Sequence, residues 1–328
     1  MALQRRTTSG ASAPHEQSSE NTASSDCASG SDDRTRLLGA KAHNPERRHL
    51  VWSELPEWMR DNKYILSGYR QPTNSFRKCF ASWLYVHNET GNIMTHLTGA
   101  LGFAALCLTA TQGLLAEFAT IDWRDVTTLY VFLLGAVGCM GVSALYHTVT
   151  CHSPQVQRTY NRCDYVGIVL LIVGSSVPMF CYMFYCHPRL KLFYLGLIFA
   201  LGAMTVVVVV APHFATPDYR PIRAATFTAL GISGVVPAVH AYLLFGWEYT
   251  ANAIQVPYML AMGAMYILGA TIYGARVPER WWPGRFDYWL HSHQIFHVFV
   301  VIAAVFHYMG VVRALRWTHT AGLAFCAV

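Results

Sequence analysis

The stretch Tyr288-Trp-Leu-His-Ser-His-Gln-Ile-Phe-His-Val-Phe-Val-Val-Ile-Ala-Ala-Val-Phe-His-Tyr-Met-Gly-Val-Val312 decides the fold class, because it contains no Asp, Glu, Lys or Arg. It exceeds the roughly 20 apolar residues with which a helix crosses the hydrocarbon core of a bilayer. Six further stretches of similar or greater length also lack these charged residues: Thr90–Ala116, Val126–Gln157, Tyr165–Pro188, Leu192–Pro217, Ala224–Trp247 and Tyr249–Ala275. The pattern predicts an all-α integral membrane protein, a bundle of seven transmembrane helices.

The composition of the 328 residues agrees with this class, since 53% are hydrophobic and only 13% are charged. Soluble domains carry about 25% charged residues. The net charge of +6 could suggest nucleic acid as a partner, but no polar domain rich in basic and aromatic residues is present to bind it. Basic side chains beside membrane ends favour anionic lipid instead. The nine cysteines form no Cys-x-x-Cys pair, and their scatter does not predict a disulfide framework.

Four regions follow from the position of these stretches. Residues 1–45 are polar and rich in Ser and Thr, which predicts a disordered tail. Residues 46–89 are predicted to form a cytosolic interfacial segment whose short amphipathic helix precedes the first span. Residues 90–313 form the seven-helix domain, and residues 314–328 a short C-terminal tail. The side chains that recur near helical spacing in the interfacial segment are Phe76, Phe80, Trp83, Leu84 and His87.

The distribution of Lys and Arg predicts a cytosolic N-terminus. With that orientation the inner loops hold seven such residues and the outer side five, and five more lie between residues 51 and 90. Basic residues are enriched in short cytosolic flanks of membrane spans. We therefore expect a multi-pass membrane protein with its N-terminus in the cytosol, while the sequence does not distinguish the plasma membrane from an internal one.

His293 and His297 lie four residues apart at the start of the last span. In a helix these positions share one face, where two imidazoles can bind one metal ion. His291 lies roughly 200° around the helix from His293 and does not share that face. Two protein ligands are too few for zinc, so further ligands must come from elsewhere in the chain.

The alternation of helix direction places more candidate ligands at the same depth. The second span ends with Ser143-Ala-Leu-Tyr-His147, and the third begins near Asp164, on the side where the seventh span begins. Three neutral imidazoles, from His147, His293 and His297, leave a fourth tetrahedral position open, which is typical of catalytic zinc. Asp164 is then either a direct ligand or a general base beside the metal.

Structural roles are the alternative for each of these residues. A single histidine inside a membrane more often serves as a polar contact between helices, whereas four ligand-type residues at one depth favour a metal site. The hydroxyl of Ser143 could reach a substrate oxygen or bond its own helix backbone. Glu89 and His96, at the same end of the first span, are expected to support the site as polar contacts.

Five segments of the chain occur in a characteristic order: Trp52-Ser-Glu-Leu-Pro-Glu-Trp-Met-Arg-Asp-Asn62, His87-Asn-Glu-Thr-Gly-Asn-Ile93, Ser143-Ala-Leu-Tyr-His147, Asp164-Tyr165 and Ser292-His-Gln-Ile-Phe-His297. Together they resemble the progestin and adipoQ receptor (haemolysin-III-related) family, especially the adiponectin receptors and their fungal relatives linked to zinc homeostasis. The resemblance spans residues 52–312. It implies seven helices with a cytosolic N-terminus.

The resemblance also implies zinc on His147, His293 and His297, with Asp164 contacting the zinc-bound water, and a ceramidase-like activity on membrane lipid. One hypothesis is therefore a zinc-dependent lipid amide hydrolase, in which Asp164 takes the proton and Ser143 steadies the developing oxyanion. A second is a signalling receptor for an unknown extracellular ligand, in which zinc only clamps the second and seventh spans. A third hypothesis is a zinc transporter or sensor. It is weaker, because the site lies near one membrane surface.

Overall fold

The computed structural model describes residues 49–110, 112–114, 116–215 and 219–327, so the predicted polar tail, residues 1–45, lies outside the described residues. Two short strands and nine α-helices occur in this part of the chain: β1 (His49–Leu50), β2 (Tyr69–Arg70), α1 (Phe76–Ala81), α2 (Thr90–Ala110), α3 (Trp123–Val149), α4 (Pro154–Met183), α5 (Pro188–Val210), α6 (Arg220–Ile232), α7 (Val235–Ala253), α8 (Val256–Ala275) and α9 (Ser292–Thr320). Short 3-10 turns occupy Trp52–Glu54, Glu57–Met59, Ser82–Leu84, Pro212–Ala215 and Gly322–Ala327.

Seven apolar helical segments are long enough to cross a membrane, which confirms the predicted bundle. Six of them are α2, α3, α4, α5, α8 and α9, and the remaining span, Ile222–Ala253, combines α6 with α7 across Ser233 and Gly234. The last helix continues to Thr320, past Val312 where the charge-free stretch ends. Arg313 and Arg316 end the apolar run without ending the helix, because both are good helix formers.

Close packing of α3 against α4 depends on glycine. A Cβ atom added at Gly135 would lie 3.0 Å from the carbonyl oxygen of Leu170, and one added at Gly174 would lie 3.0 Å from that of Val131. Small residues at such contacts let two membrane helices approach closely, and the shorter separation increases their van der Waals contact. The two helices that carry His147 and Asp164 are therefore held together along their length.

Residues 49–89, called the N-terminal cap below, fold against one end of the bundle, where β1 and β2 pair antiparallel. The guanidinium of Arg70, only 2% exposed, donates to the carbonyl oxygens of His147 (2.6 Å) and Thr148 (2.8 Å) at the end of α3. The last carbonyls of a helix lack partners within the helix and carry the negative end of its dipole. A buried cation satisfies both needs, so Arg70 fixes the end of α3.

The loop between α8 and α9 binds the N-terminal cap from the other side. The carboxylate of Glu279 is fully buried and accepts hydrogen bonds from the side-chain amide of Asn62 (3.0 Å) and from the backbone N–H (2.8 Å) and hydroxyl of Ser292. Asp287 accepts a bond from the Ser67 hydroxyl (2.6 Å). A carboxylate at a helix N-terminus also interacts favourably with the helix dipole. These bonds fix the start of α9.

The short helix before the first span presents apolar side chains outward, as expected of an interfacial segment. The exposed fractions of these side chains are 44% for Phe76, 43% for Phe80, 37% for Trp83 and 89% for Leu84. His87 was grouped with them by its spacing, but it is buried in the structure. Burial lowers the pKa of His87 to about 3. Its ring is therefore neutral, and Nδ1 can accept the backbone N–H of Glu89 (3.1 Å).

One disulfide lies at the opposite end of the bundle, called the far end below. It joins Cys186, just after α4, to Cys326 in the C-terminal 3-10 turn, with their Cα atoms 5.1 Å apart. The scattered cysteines had predicted no disulfide framework, and the structure differs at this pair. The two residues are 140 positions apart in sequence, and only the tertiary fold brings them together.

Candidate metal centre

Three histidines from two helices meet at the end of the bundle that the N-terminal cap covers. His147 lies in the last turn of α3, and His293 and His297 lie in the first two turns of α9. One ring nitrogen from each lies within 4.8 Å of the other two. His147 and His297 are buried and His293 is half-buried. Among the residues that the structure describes, this is the one group of three or more His, Cys, Asp or Glu side chains with metal-ligand spacing.

The residue before α9 is turned away from this group. His291 is extended, with φ −71° and ψ 160°, and its Nε2 lies 3.1 Å from the backbone oxygen of Asn88. The helix therefore begins only at Ser292, and the four-residue spacing places His293 and His297 on one face. His291 lies outside the metal group as expected, but the reason differs, because it precedes the helix in extended backbone and has no angular position within it.

A carboxylate orients the imidazole of His147. Its Nδ1 donates to Oε2 of Glu89 (2.7 Å), which also accepts from the side-chain amide of Asn92 (2.7 Å). Burial alone raises the pKa of the Glu89 carboxyl, but the adjacent His147 and the hydrogen bonds from His147 and Asn92 outweigh it, so the pKa lies below its usual range. With the proton on Nδ1, the lone pair of His147 is on Nε2. That atom is buried without a hydrogen-bond partner among the described residues.

His297 is oriented in the same manner by α2. Its Nδ1 donates to the backbone oxygen of Asn92 (3.2 Å), which leaves the lone pair on Nε2. The ring of His96 stacks flat against it, with centroids 3.6 Å apart and an interplanar angle of 4°. His96 is not part of the metal group. Its contact with His297 is a ring stack, and both of its ring nitrogens are buried without a hydrogen-bond partner among the described residues, so the expected polar contact is not the one that the structure shows.

Asp164 and Ser143 form a carboxylate–hydroxyl pair beside the histidines. Ser143 lies one turn before His147 and is 2% exposed, and its side chain is close enough to the carboxyl group of Asp164 on α4 to interact with it. Asp164 is half-buried and near enough to His147 for a direct electrostatic interaction. It does not belong to the three-nitrogen group.

Several residues that hold the centre together were not identified from the sequence. Arg70 had been counted only as a basic flank, and Glu279 had no assigned role, yet they fix the two helix ends that carry the histidines. Asn92 also escaped notice, although an amide inside a charge-free apolar stretch is a usable signal. Polar groups at membrane depth are costly unless they have partners.

The donor set fits a zinc ion. Neutral imidazole nitrogens are common zinc ligands, and in such sites the second ring nitrogen usually donates to a carboxylate or a backbone carbonyl. His147 and His297 show one case of each. Three protein donors would leave one of four tetrahedral positions for a ligand from outside the protein.

Comparison with known proteins places this chain in a family. Residues 84–308 match the profile of the haemolysin-III-related proteins. The chain belongs to the haemolysin-III-related family. This confirms the resemblance seen in the sequence segments, and the matched region contains all five candidate site residues. The chain is thus a multi-pass membrane protein of the adiponectin-receptor-like type, with a buried three-histidine group that could hold a metal ion.

Three relatives show how far the similarity of this haemolysin-III-related chain extends. It is 41% identical over 288 residues to the adiponectin receptor protein of Drosophila melanogaster, covering 84% of this chain and 64% of the fly protein. It is 39% identical over 282 residues to progestin and adipoQ receptor-like protein 1 of Caenorhabditis elegans, covering 85% and 64%. It is 37% identical over 280 residues to the ADIPOR-like receptor IZH2 of Saccharomyces cerevisiae, covering 85% and 88%. The chain therefore spans less than two thirds of the length of the fly and worm proteins.

Proposed function

We propose that this protein is a zinc-dependent hydrolase of lipid amides, with a ceramide-like lipid as substrate. The proposal depends on two features: three convergent imidazoles, and the carboxyl group of Asp164, which interacts with His147 and Ser143 but is not part of the metal group. His147, His293 and His297 would hold the zinc. When bound, zinc lowers the pKa of a water toward about 7 and polarises a carbonyl oxygen.

Asp164 handles the proton in this proposal. The amide C–N bond breaks, the acyl carbon takes the oxygen of water, and the amine takes a proton. Asp164 accepts a proton from the attacking water and delivers it to the departing nitrogen. The side chain of Ser143 interacts with the Asp164 carboxyl group, so we assign it to orienting that group. The sequence predicts a different role for its hydroxyl, donation to the developing oxyanion.

The position of the centre is compatible with a membrane lipid as substrate. His293 and Asp164 are half-buried whereas His147 and His297 are buried, so the accessible side of the centre is the side of the first two. The centre lies at the ends of spanning helices, near the depth at which the amide of a bilayer lipid would lie. The apolar chains of such a lipid would extend along the helices, where exposed leucine and valine side chains are abundant.

The experiment that tests this proposal is fatty-acid release by the protein purified into lipid nanodiscs. With a ceramide as substrate, we expect release that stops when a chelator removes zinc and resumes when zinc, but not magnesium, is returned. An unchanged rate after metal analysis has shown the zinc to be gone would overturn the proposal.

The alternative is a signalling receptor in which zinc is a structural clamp. The three histidines join α3 to α9, and relatives carry the word receptor in their names. If zinc is bound but no ceramide is hydrolysed, while zinc removal alters the thermal stability of the bundle, the clamp is favoured. A role in zinc homeostasis as a transporter is weaker, and zinc uptake into proteoliposomes above an empty control would support it.

We further propose that the N-terminal cap lies in the cytosol. α4 separates Cys151 from Cys186, and 30 helical residues span about 45 Å, so these cysteines lie at opposite ends of the bundle. Cys186 is disulfide-bonded, whereas Cys79 and Cys151 at the capped end are free thiols. Disulfides persist in oxidising compartments and are rare in the cytosol. This asymmetry agrees with the orientation expected from the basic residues.

Protease protection in sealed microsomes checks this orientation. An epitope at the N-terminus is expected to be digested by added protease, while one at the C-terminus survives until detergent is added. Loss of the C-terminal epitope before detergent, with the N-terminal one protected, would contradict the assignment.

A further inference from the structure

Two cysteines at the capped end of the bundle lie in direct contact. Cys79 belongs to α1 in the N-terminal cap, and Cys151 follows the last turn of α3, so the pair connects two separate segments. Their sulfur atoms are 3.6 Å apart, and the side chains are 0% and 1% exposed. Val149 completes the buried cluster around them. This contact plays no part in the metal centre.

The surroundings of the pair activate one sulfur. Cys151 donates a hydrogen bond to Sγ of Cys79, and the hydroxyl of Thr73 lies 3.3 Å from the same atom. The bond from Cys151 lowers the pKa of the Cys79 thiol and burial raises it, while Thr73, Arg70 and His152 lower it further, to a net value of about 6. A thiolate is the reactive form of cysteine toward peroxides. Cys79 therefore has the character of a nucleophile and Cys151 that of a neighbouring thiol.

The separation of the sulfurs suits a disulfide. A disulfide bond is about 2.05 Å long, so the two sulfur atoms, 3.6 Å apart, must approach by about 1.5 Å to form one. Other free cysteines lack such a neighbouring thiol. Cys163 is exposed and Cys107 half-buried, and neither has a thiol partner among the hydrogen bonds of the described residues.

We propose that Cys79 and Cys151 form an oxidisable thiol pair that a hydroperoxide converts to a disulfide. The Cys79 thiolate attacks one oxygen of hydrogen peroxide, the O–O bond breaks, and a sulfenic acid and hydroxide result. The sulfur of Cys151 then attacks the sulfenic sulfur, the S–O bond breaks, and the second hydroxide leaves. The thiol proton of Cys151 and one further proton convert the two hydroxides to water. The peroxide is reduced and the two sulfurs are oxidised.

The bond would tie the N-terminal cap to the helix that carries His147. Cys151 lies four residues after His147, and Arg70 already holds the His147 and Thr148 carbonyls from the cap. Both sulfurs are buried, so the peroxide enters only when α1, six residues long, opens locally. Oxidation would then fix α1 against the end of α3 and suppress this opening.

Peptide mass spectrometry of the full-length protein in nanodiscs tests the pair. The protein is treated with hydrogen peroxide, denatured with N-ethylmaleimide to block remaining thiols, and digested without reductant. The expected product is a peptide cross-linked through Cys79 and Cys151 that dithiothreitol splits. The Cys163→Ser variant serves as the control and is expected to give the same cross-link. Complete maleimide labelling of both Cys79 and Cys151, at a dose that oxidises Cys163, overturns the proposal.

The Cys151→Ser variant separates the two steps. Without its partner, Cys79 is expected to accumulate as sulfenic acid, trapped by dimedone at a level at least about tenfold above that in the wild type, because the second thiol normally consumes it. Equal dimedone labelling in the wild type and the variant overturns the assignment of Cys151 as the resolving thiol. The wild-type cross-link requires no variant to fold, and it is independent of zinc and of any hydrolase activity.

Discussion

Replacing His297 with alanine is expected to lower the zinc content of the purified protein from about one ion per chain to below about 0.1, because three protein donors are the minimum found in catalytic zinc sites. The same loss is expected for His147→Ala and His293→Ala, since the ring nitrogens of the three residues lie within 4.8 Å of one another. Inductively coupled plasma mass spectrometry on protein purified without chelators measures the content directly.

Two companion variants make this result specific. His152→Ala removes a half-buried imidazole at the same end of the bundle that does not belong to the metal group, and it is expected to keep its zinc. Glu89→Gln retains shape but weakens the bond to Nδ1 of His147, so it is expected to keep zinc at saturation while its affinity falls about 10–100-fold. Zinc content in His297→Ala equal to that of the wild type would show that the ion, if present, is bound elsewhere.

Replacing Asp164 with asparagine is expected to lower fatty-acid release from ceramide by about 10²–10⁴-fold, the usual contribution of a positioned acid–base group. The zinc content is expected to remain at the wild-type value, because Asp164 is outside the three-nitrogen group. Asparagine keeps the size of the side chain and can still accept a hydrogen bond from a hydroxyl, but it cannot take up a proton. The variant therefore separates proton transfer from folding and from metal binding.

The matched control is Asp125→Asn. Asp125 is also a buried carboxylate near a helix end, but it lies at the start of α3 at the far end, where Oδ2 is 3.2 Å from Nε2 of His319. Its replacement is expected to affect stability more than turnover. If Asp164→Asn hydrolyses ceramide at the wild-type rate, Asp164 is not the base. If the wild type and Asp164→Asn both bind zinc but neither releases fatty acid, a structural role of the zinc becomes the better account.

The seven spans were predictable because crossing a bilayer imposes a local requirement, about 20 apolar residues for each helix. The meeting of His147 with His293 and His297 followed from two simple facts, helical spacing and the alternation of span direction. The break between α6 and α7 at Ser233 and Gly234 was not seen, because the charge-free stretch is continuous there. Both residues keep right-handed helical dihedrals, so the chain direction continues there, whereas the kink lies inside α7 at Gly246, with φ 77° and ψ 176°.

The residues that support the centre could not be found in this way. Arg70 reaches carbonyls 77 and 78 positions away, and Asn62 reaches Glu279 across 217 positions. Such contacts depend on how the N-terminal cap folds over the bundle, and no periodic pattern records them. The Cys186–Cys326 disulfide was missed for the same reason. Sequence patterns identify the groups that can bind a metal, whereas the fold determines which neighbours hold their rings and protons in place.

The measurement that tests the central claim most directly is elemental analysis of the wild-type protein, purified from cells without chelators and without a metal-affinity step. The account predicts about one zinc ion per chain, bound strongly enough to survive dialysis. A folded, monodisperse protein that contains no zinc, and that takes up none when zinc is added, would contradict the assignment of His147, His293 and His297 as a zinc centre.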